Sequence, residues 1–88
     1  MVLARDDAFT PSQAEYEAVI YTPLTSYCYR ARLSASGEVA LVAAAAPAPA
    51  ELERRLATLA RVIARKAASN SRDGVPPWPQ RIQRWRAT

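Results

Sequence analysis

Residues 49–69 read PAELERRLATLARVIARKAAS, and this stretch decides the fold. At about 100° per residue, an α-helix brings the large aliphatic side chains of the stretch onto one narrow stripe. The stripe consists of Leu52, Leu56, Leu59, Ile63 and Ala67. Pro49 suits the first helical position, and Asn70 suits a left-handed cap after the last turn. The sequence therefore predicts one long amphipathic helix, whose apolar stripe the rest of the chain must cover.

Arginines occupy the opposite side of this helix. Arg54, Arg61 and Arg65 lie about 180 to 220° away from Leu52 on a helical projection. A row of guanidinium groups is a candidate surface for binding an anion. It is also what any amphipathic surface helix presents to water, so the row alone does not decide the function.

Three segments before the helix predict an antiparallel meander. Segment 15–22 is rich in β-branched and aromatic residues, and segment 26–35 alternates between two faces. One face carries Tyr27, Tyr29, Ala31 and Leu33, whereas Arg30 and Arg32 point outward. Segment 38–45 pairs back through a turn at Ser36 and Gly37. Because it is apolar on both faces, it is expected to be a central or covered strand. For segment 15–22, the sequence does not decide which of the two faces is buried.

The predicted fold class is α+β, with a three-stranded antiparallel meander packed on one long helix in the order β-β-β-α. Residues 15–70 form this domain, residues 1–14 an N-terminal arm, and residues 71–88 a basic tail with a short helix from Pro79. The predicted core consists of Val19 or Ile20, Tyr27, Tyr29, Leu33, Val39, Leu41, Leu52, Leu56, Leu59 and Ile63. Because 19 of the 88 residues are alanines, this core is small and favours self-association as a homo-oligomer.

Basic residues are concentrated in the second half of the chain. Residues 1–53 carry three basic and seven acidic groups, whereas residues 54–88 carry nine basic groups and one acidic group, Asp73. The net charge therefore changes from −4 to +8, which sums to the +4 of the whole chain. A basic half of this density favours an anionic partner, either nucleic acid or an acidic protein surface. The alternative is an arginine-rich composition that places arginines on an ordinary surface.

The residue types that many enzymes need are absent or scarce. The chain has no histidine, one cysteine (Cys28) and two glycines. These counts disfavour histidine-based catalysis, a zinc site and a glycine-rich phosphate loop. We therefore expect a non-enzymatic protein without a metal or cofactor. The single cysteine and the absence of a signal peptide pattern fit the cytoplasm, and no apolar run is long enough to span a membrane.

We expect the protein to bind nucleic acid, DNA in particular, through outward arginines and the tail. The primary site residues are Arg30, Arg32, Trp78, Arg81, Arg84, Trp85 and Arg86, with Arg54, Arg61 and Arg65 as a secondary set. Arginine reads guanine edges or contacts phosphates, and tryptophan stacks on unpaired bases, although tryptophans more often pack on the body of a protein. The alternative function is a protein-interaction module, such as an adaptor, inhibitor or assembly subunit, because Tyr, Trp and Arg dominate interface energies.

Overall fold

Five strands and one helix make up the regular structure of residues 1–83, the residues that the computed structural model describes. The elements are β1 (Val2–Arg5), β2 (Gln13–Tyr21), β3 (Ser26–Ser34), β4 (Val39–Ala43), α1 (Ala50–Arg72) and β5 (Arg81–Gln83). The strands form one antiparallel sheet in the order β4-β3-β2-β1-β5, and α1 packs on one face of it. The predicted α+β class, with an antiparallel sheet and one helix, is confirmed.

The central hairpin of the sheet follows the predicted alternation. The side chains of Tyr29, Ala31 and Leu33 on β3 are buried under the helix, whereas Arg30 and Arg32 are exposed on the other side. Strand β2 is nine residues long and buries alternate side chains, namely Ala14, Tyr16, Ala18 and Ile20. The face with Tyr16 and Ile20 is therefore the buried one, a choice that the sequence did not decide. Glu15 and Glu17 point away from the helix.

The sheet has five strands where the sequence predicted three. The two additional strands come from segments that were assigned to an arm and a tail. Leu3 of β1 lies beside Ala18 of β2 on one side and Ile82 of β5 on the other. Leu3 and Ile82 are both buried, so each short strand contributes one side chain to the core. The helix predicted from Pro79 is wrong for residues 81–83, because pairing with β1 holds them extended.

Strand β4 lies at an edge of the sheet, which corrects the prediction of a central or covered strand. It pairs with β3 alone among the described strands. Its two apolar faces have different surroundings. Val39 and Leu41 are half-buried against the core, whereas Val42 is 65% exposed on the other side of the sheet.

The buried face of α1 is centred on alanines. Ala60, Ala64 and Ala67 are fully buried together with Leu56, while Leu52 and Leu59 are only partly buried. The helix is therefore rotated from the predicted leucine stripe, because small side chains let it approach the sheet closely. It also continues past Asn70 to Arg72, and Gly74 takes the left-handed conformation after it, with φ of 75°.

Hydrogen bonds of Tyr29 fix the entry into the helix. Its hydroxyl donates to Oε2 of Glu53 at 2.7 Å and accepts from the backbone N–H of Ala48 at 2.7 Å. Burial, and then the hydrogen bond to Glu53, raise the pKa of Tyr29. These bonds tie β3 to the first turn of α1 and so orient the outer face of the helix.

Trp78 connects the segment after the helix to the N-terminal strands. Its side chain is 1% exposed, and its Nε1 donates to the carbonyl of Thr10 at 2.8 Å. Nη1 of Arg5 donates to the carbonyl of Trp78 at 2.7 Å. The hydroxyl of Tyr16 donates to the carbonyl of Pro79 at 2.6 Å, and burial raises the pKa of Tyr16 to about 12. The two ends of the described chain are thus joined by a buried aromatic cluster.

Candidate nucleic-acid interface

The sheet arginines project from the open face, which is the side of the sheet away from α1. Strand pairing places Arg32 directly across from Glu15, and Arg30 directly across from Glu17. Arg32 donates from both Nε and Nη2 to Oε1 of Glu15, at 3.1 and 2.9 Å. Arg30 lies 3.5 Å from Oδ2 of Asp6 and 3.9 Å from Oε2 of Glu15. Both arginines therefore already have carboxylate partners within the chain.

The helix arginines project from the outer face of α1, which consists of Arg54, Arg61, Arg65 and Arg72. On a helical projection these four positions fall within about 20° of one line, and they span about 27 Å along the axis. All four residues are exposed, and none has an ion-pair partner within residues 1–83. Six basic residues and no acidic residue occur between positions 54 and 72. The outer face is thus a straight row of uncompensated positive charge.

One member of this row, Arg72, was missed by the sequence interpretation. The helix was predicted to end at Ser69, which left Arg72 in a loop. The missed signal is that no glycine or proline occurs between Pro49 and Gly74, while Arg72 lies seven residues after Arg65. A helix prolonged by one turn places it in line with the other three arginines.

The remaining predicted site residues do not form one cluster with the sheet arginines. Trp78 is buried, so in this structure its ring is not available to stack on a base. Arg81 is exposed on the edge strand β5, where it lies directly across from Ala4 of β1. Arg84, Trp85 and Arg86 lie outside the described residues.

A groove of about 330 Å³ lies between the C-terminal half of α1 and β5. Leu59, Ile63 and Ile82 contribute its apolar lining, and Lys66 and Arg81 contribute positive charge. Among the residues that line it, none is acidic and none is aromatic. Within residues 1–83, the groove therefore adds positive charge beside the helix but no ring on which an unpaired base would stack.

Within residues 1–83, no group of three or more His, Cys, Asp or Glu side chains is placed to hold a metal ion. No helix in the same range combines the length and apolar character needed to cross a membrane. Comparison of the chain with models of protein families, with curated proteins and with solved structures found no match.

Proposed function

We propose that the protein is a non-enzymatic nucleic-acid-binding module whose outer helix face contacts the phosphate backbone. The observation that carries the proposal is the row of four exposed arginines that have no carboxylate partner within residues 1–83. Phosphate contacts from arginine supply most of the sequence-independent affinity of proteins for DNA. The expected cytoplasmic location and the absence of histidine in the sequence fit a role that depends on binding alone.

The helix row is a better phosphate-binding surface than the sheet arginines. For Arg30 or Arg32 to bind a phosphate, the guanidinium group must first leave Glu15 or Asp6, and these carboxylates would then lie beside the ligand and repel it. Arg61 and Arg65 have no such competitor among the described residues, and binding a polyanion relieves their mutual repulsion. The favoured site is therefore the outer face of α1, which the sequence ranked as secondary.

Duplex DNA is the form of nucleic acid that this surface fits best. A straight helix with four guanidinium groups over about 27 Å matches contacts to a regular phosphate backbone. Stacking on unpaired bases needs exposed aromatic rings near the positive surface. Within residues 1–83 the one tryptophan, Trp78, is buried, and the described residues that line the groove beside α1 include no aromatic side chain.

Salt dependence of binding tests the proposal. With four phosphate contacts, the affinity for a fluorescein-labelled DNA duplex is expected to fall roughly 100-fold between about 50 and 200 mM salt. Fluorescence anisotropy of the labelled duplex measures this slope directly. A slope near zero, or no binding at the lowest salt concentration, contradicts a phosphate-binding role. Binding to an acidic protein in preference to the duplex supports the protein-interaction alternative instead.

A further inference from the structure

We propose that the open face of the sheet is the interface of a homodimer, in which a second copy of the chain packs its own open face against it. This inference is independent of the proposed function, because it uses the side of the sheet opposite the helix row. The open face combines exposed apolar side chains with charges that cancel. Its arginines are Arg30 and Arg32, with Arg81 at the margin, where it also lines the groove beside α1, and its acids are Asp6, Glu15 and Glu17.

The charges of the open face are complementary to those of a second copy. The two acids of β2 form one column, and the two arginines of β3 form the neighbouring column. A two-fold axis parallel to the strands and between β2 and β3 places each column over the opposite column of the partner. Arg30 of one copy then faces Glu17 of the other, and Arg32 faces Glu15. Two-fold interfaces require this kind of self-complementarity.

The apolar part of the open face is also matched by the same axis. Val19 lies between Val2 on β1 and Cys28 on β3 in one row across the sheet. Tyr21 is 53% exposed and Val42 is 65% exposed, although both belong to strands of the sheet. Because the axis keeps positions along the strands unchanged, the row of Val2, Val19 and Cys28 meets the same row of the second copy, and Val42 adds apolar area at the edge, in the row of Arg30. The dimer would resemble a β-sandwich whose core forms between the two copies.

The available area is sufficient for a specific dimer. Five strands at about 4.8 Å spacing, with the longest strands about 30 Å long, give roughly 500 to 700 Å² per copy. Two copies then bury at least the ~1,000 Å² in total that a specific interface needs. The two α1 helices remain on opposite outer sides of such a dimer, so each keeps its arginine row exposed.

The mass of the protein in solution tests the inference. Size-exclusion chromatography with light scattering is expected to give about twice the 9.7 kDa of one chain at high micromolar concentration. Val19→Asp places a charge in the apolar row and is expected to weaken dimerisation at least tenfold. Val62→Asp, at a 44% exposed position of α1, is the matched control and leaves the dimer unchanged. A wild-type chain that stays monomeric overturns the proposal.

Cys28 supplies a second readout that requires no change in the fold. Its thiol is exposed on the open face, and facing sheets pack about 10 Å apart. A short bismaleimide is therefore expected to link two wild-type chains, and Cys28→Ser removes the product. A dimer that the reagent does not link overturns the proposed geometry. Loss of the dimer in Ala43→Pro but not in Val19→Asp also overturns it, because that result indicates pairing through the β4 edge.

Discussion

The two sets of arginines in this protein are both exposed but differ in their partners. Those on the sheet, Arg30 and Arg32, lie within 4 Å of carboxylate oxygens of the same chain. Those on the helix have none among residues 1–83. Strand register places Glu15 beside the sheet arginines, whereas helical spacing aligns the helix arginines with one another and not with an acid. Exposure alone is thus a poor guide to which arginines are available for a ligand, and the presence of competing acids is a better one.

The physical basis of the contrast is local compensation of charge. An exposed ion pair adds at most about 1 kcal/mol to stability, but it also neutralises the field that would attract a polyanion. The open face has equal numbers of arginines and acids, whereas α1 has six basic residues and no acid after Glu53. The potential of the molecule is therefore expected to be most positive over the helix.

The largest expected effect comes from the scaffold that holds both arginine sets. Burial raises the pKa of Tyr16 to about 12, whereas an unfolded tyrosine ionises near pH 10. The free energy of unfolding is therefore unaffected by Tyr16 ionisation below about pH 10. It is expected to fall by about 3 kcal/mol as the pH rises towards 12. Urea unfolding at several alkaline pH values measures this loss. Tyr16→Phe is the control and is expected to show a flatter pH dependence, and an equal slope in both proteins contradicts the assignment.

A second, smaller effect is expected when the sheet arginines lose a carboxylate partner, as the arginines of the outer helix face have none among the described residues. Glu15→Gln removes the carboxylate that both Arg30 and Arg32 contact. Under conditions where the chain is monomeric and the open face is uncovered, affinity for duplex DNA is expected to rise about threefold, because the freed guanidinium groups form a second phosphate-binding surface. Glu38→Gln makes the same change in net charge at the β3–β4 turn. If both variants gain affinity equally in an anisotropy titration, net charge rather than pairing explains the contrast.

The interpretation from the sequence was most successful where a periodic pattern was long. The helix and the three strands β2, β3 and β4 each extend over at least five residues, so their alternation was legible. Strands β1 and β5 have four and three residues, and Leu3 and Ile82 meet only because the chain ends come together. No local pattern reports such a long-range pairing.

The candidate site was predicted only in part for a related reason. The outward direction of Arg30 and Arg32 followed from alternation within one strand. Their partners did not, because contact with Glu15 depends on the register between β2 and β3 and on which face of β2 is buried. The burial of Trp78 likewise involves residues far away in the sequence, such as Thr10, whose carbonyl accepts its hydrogen bond. Prediction of the arginine row on α1 depended only on the bounds of the helix. Because the predicted helix ended at Ser69, the predicted row lacked Arg72.

The smallest expected effect is on the stability of the fold. Replacing an arginine is expected to lower stability on the sheet and to raise it on the helix. Arg32→Gln removes the two hydrogen bonds that Arg32 donates to Oε1 of Glu15 and is expected to destabilise the fold by up to about 1 kcal/mol. Arg61→Gln removes a like-charge neighbour of Arg65 one turn away and is expected to stabilise it by a few tenths of a kcal/mol. Urea midpoints at low salt compare the two variants. Shifts of the same sign contradict the proposed difference in pairing.

Binding by matched double variants tests the central claim most directly. Arg61→Gln/Arg65→Gln and Arg30→Gln/Arg32→Gln each remove two positive charges, one pair from the helix and one from the open face. The affinity of each for a DNA duplex is measured by anisotropy at low salt, after circular dichroism has verified the fold. The helix variant is expected to bind roughly tenfold more weakly, and the sheet variant to stay within about twofold of the wild-type protein. An equal loss in both, or a larger loss in the sheet variant, contradicts the account.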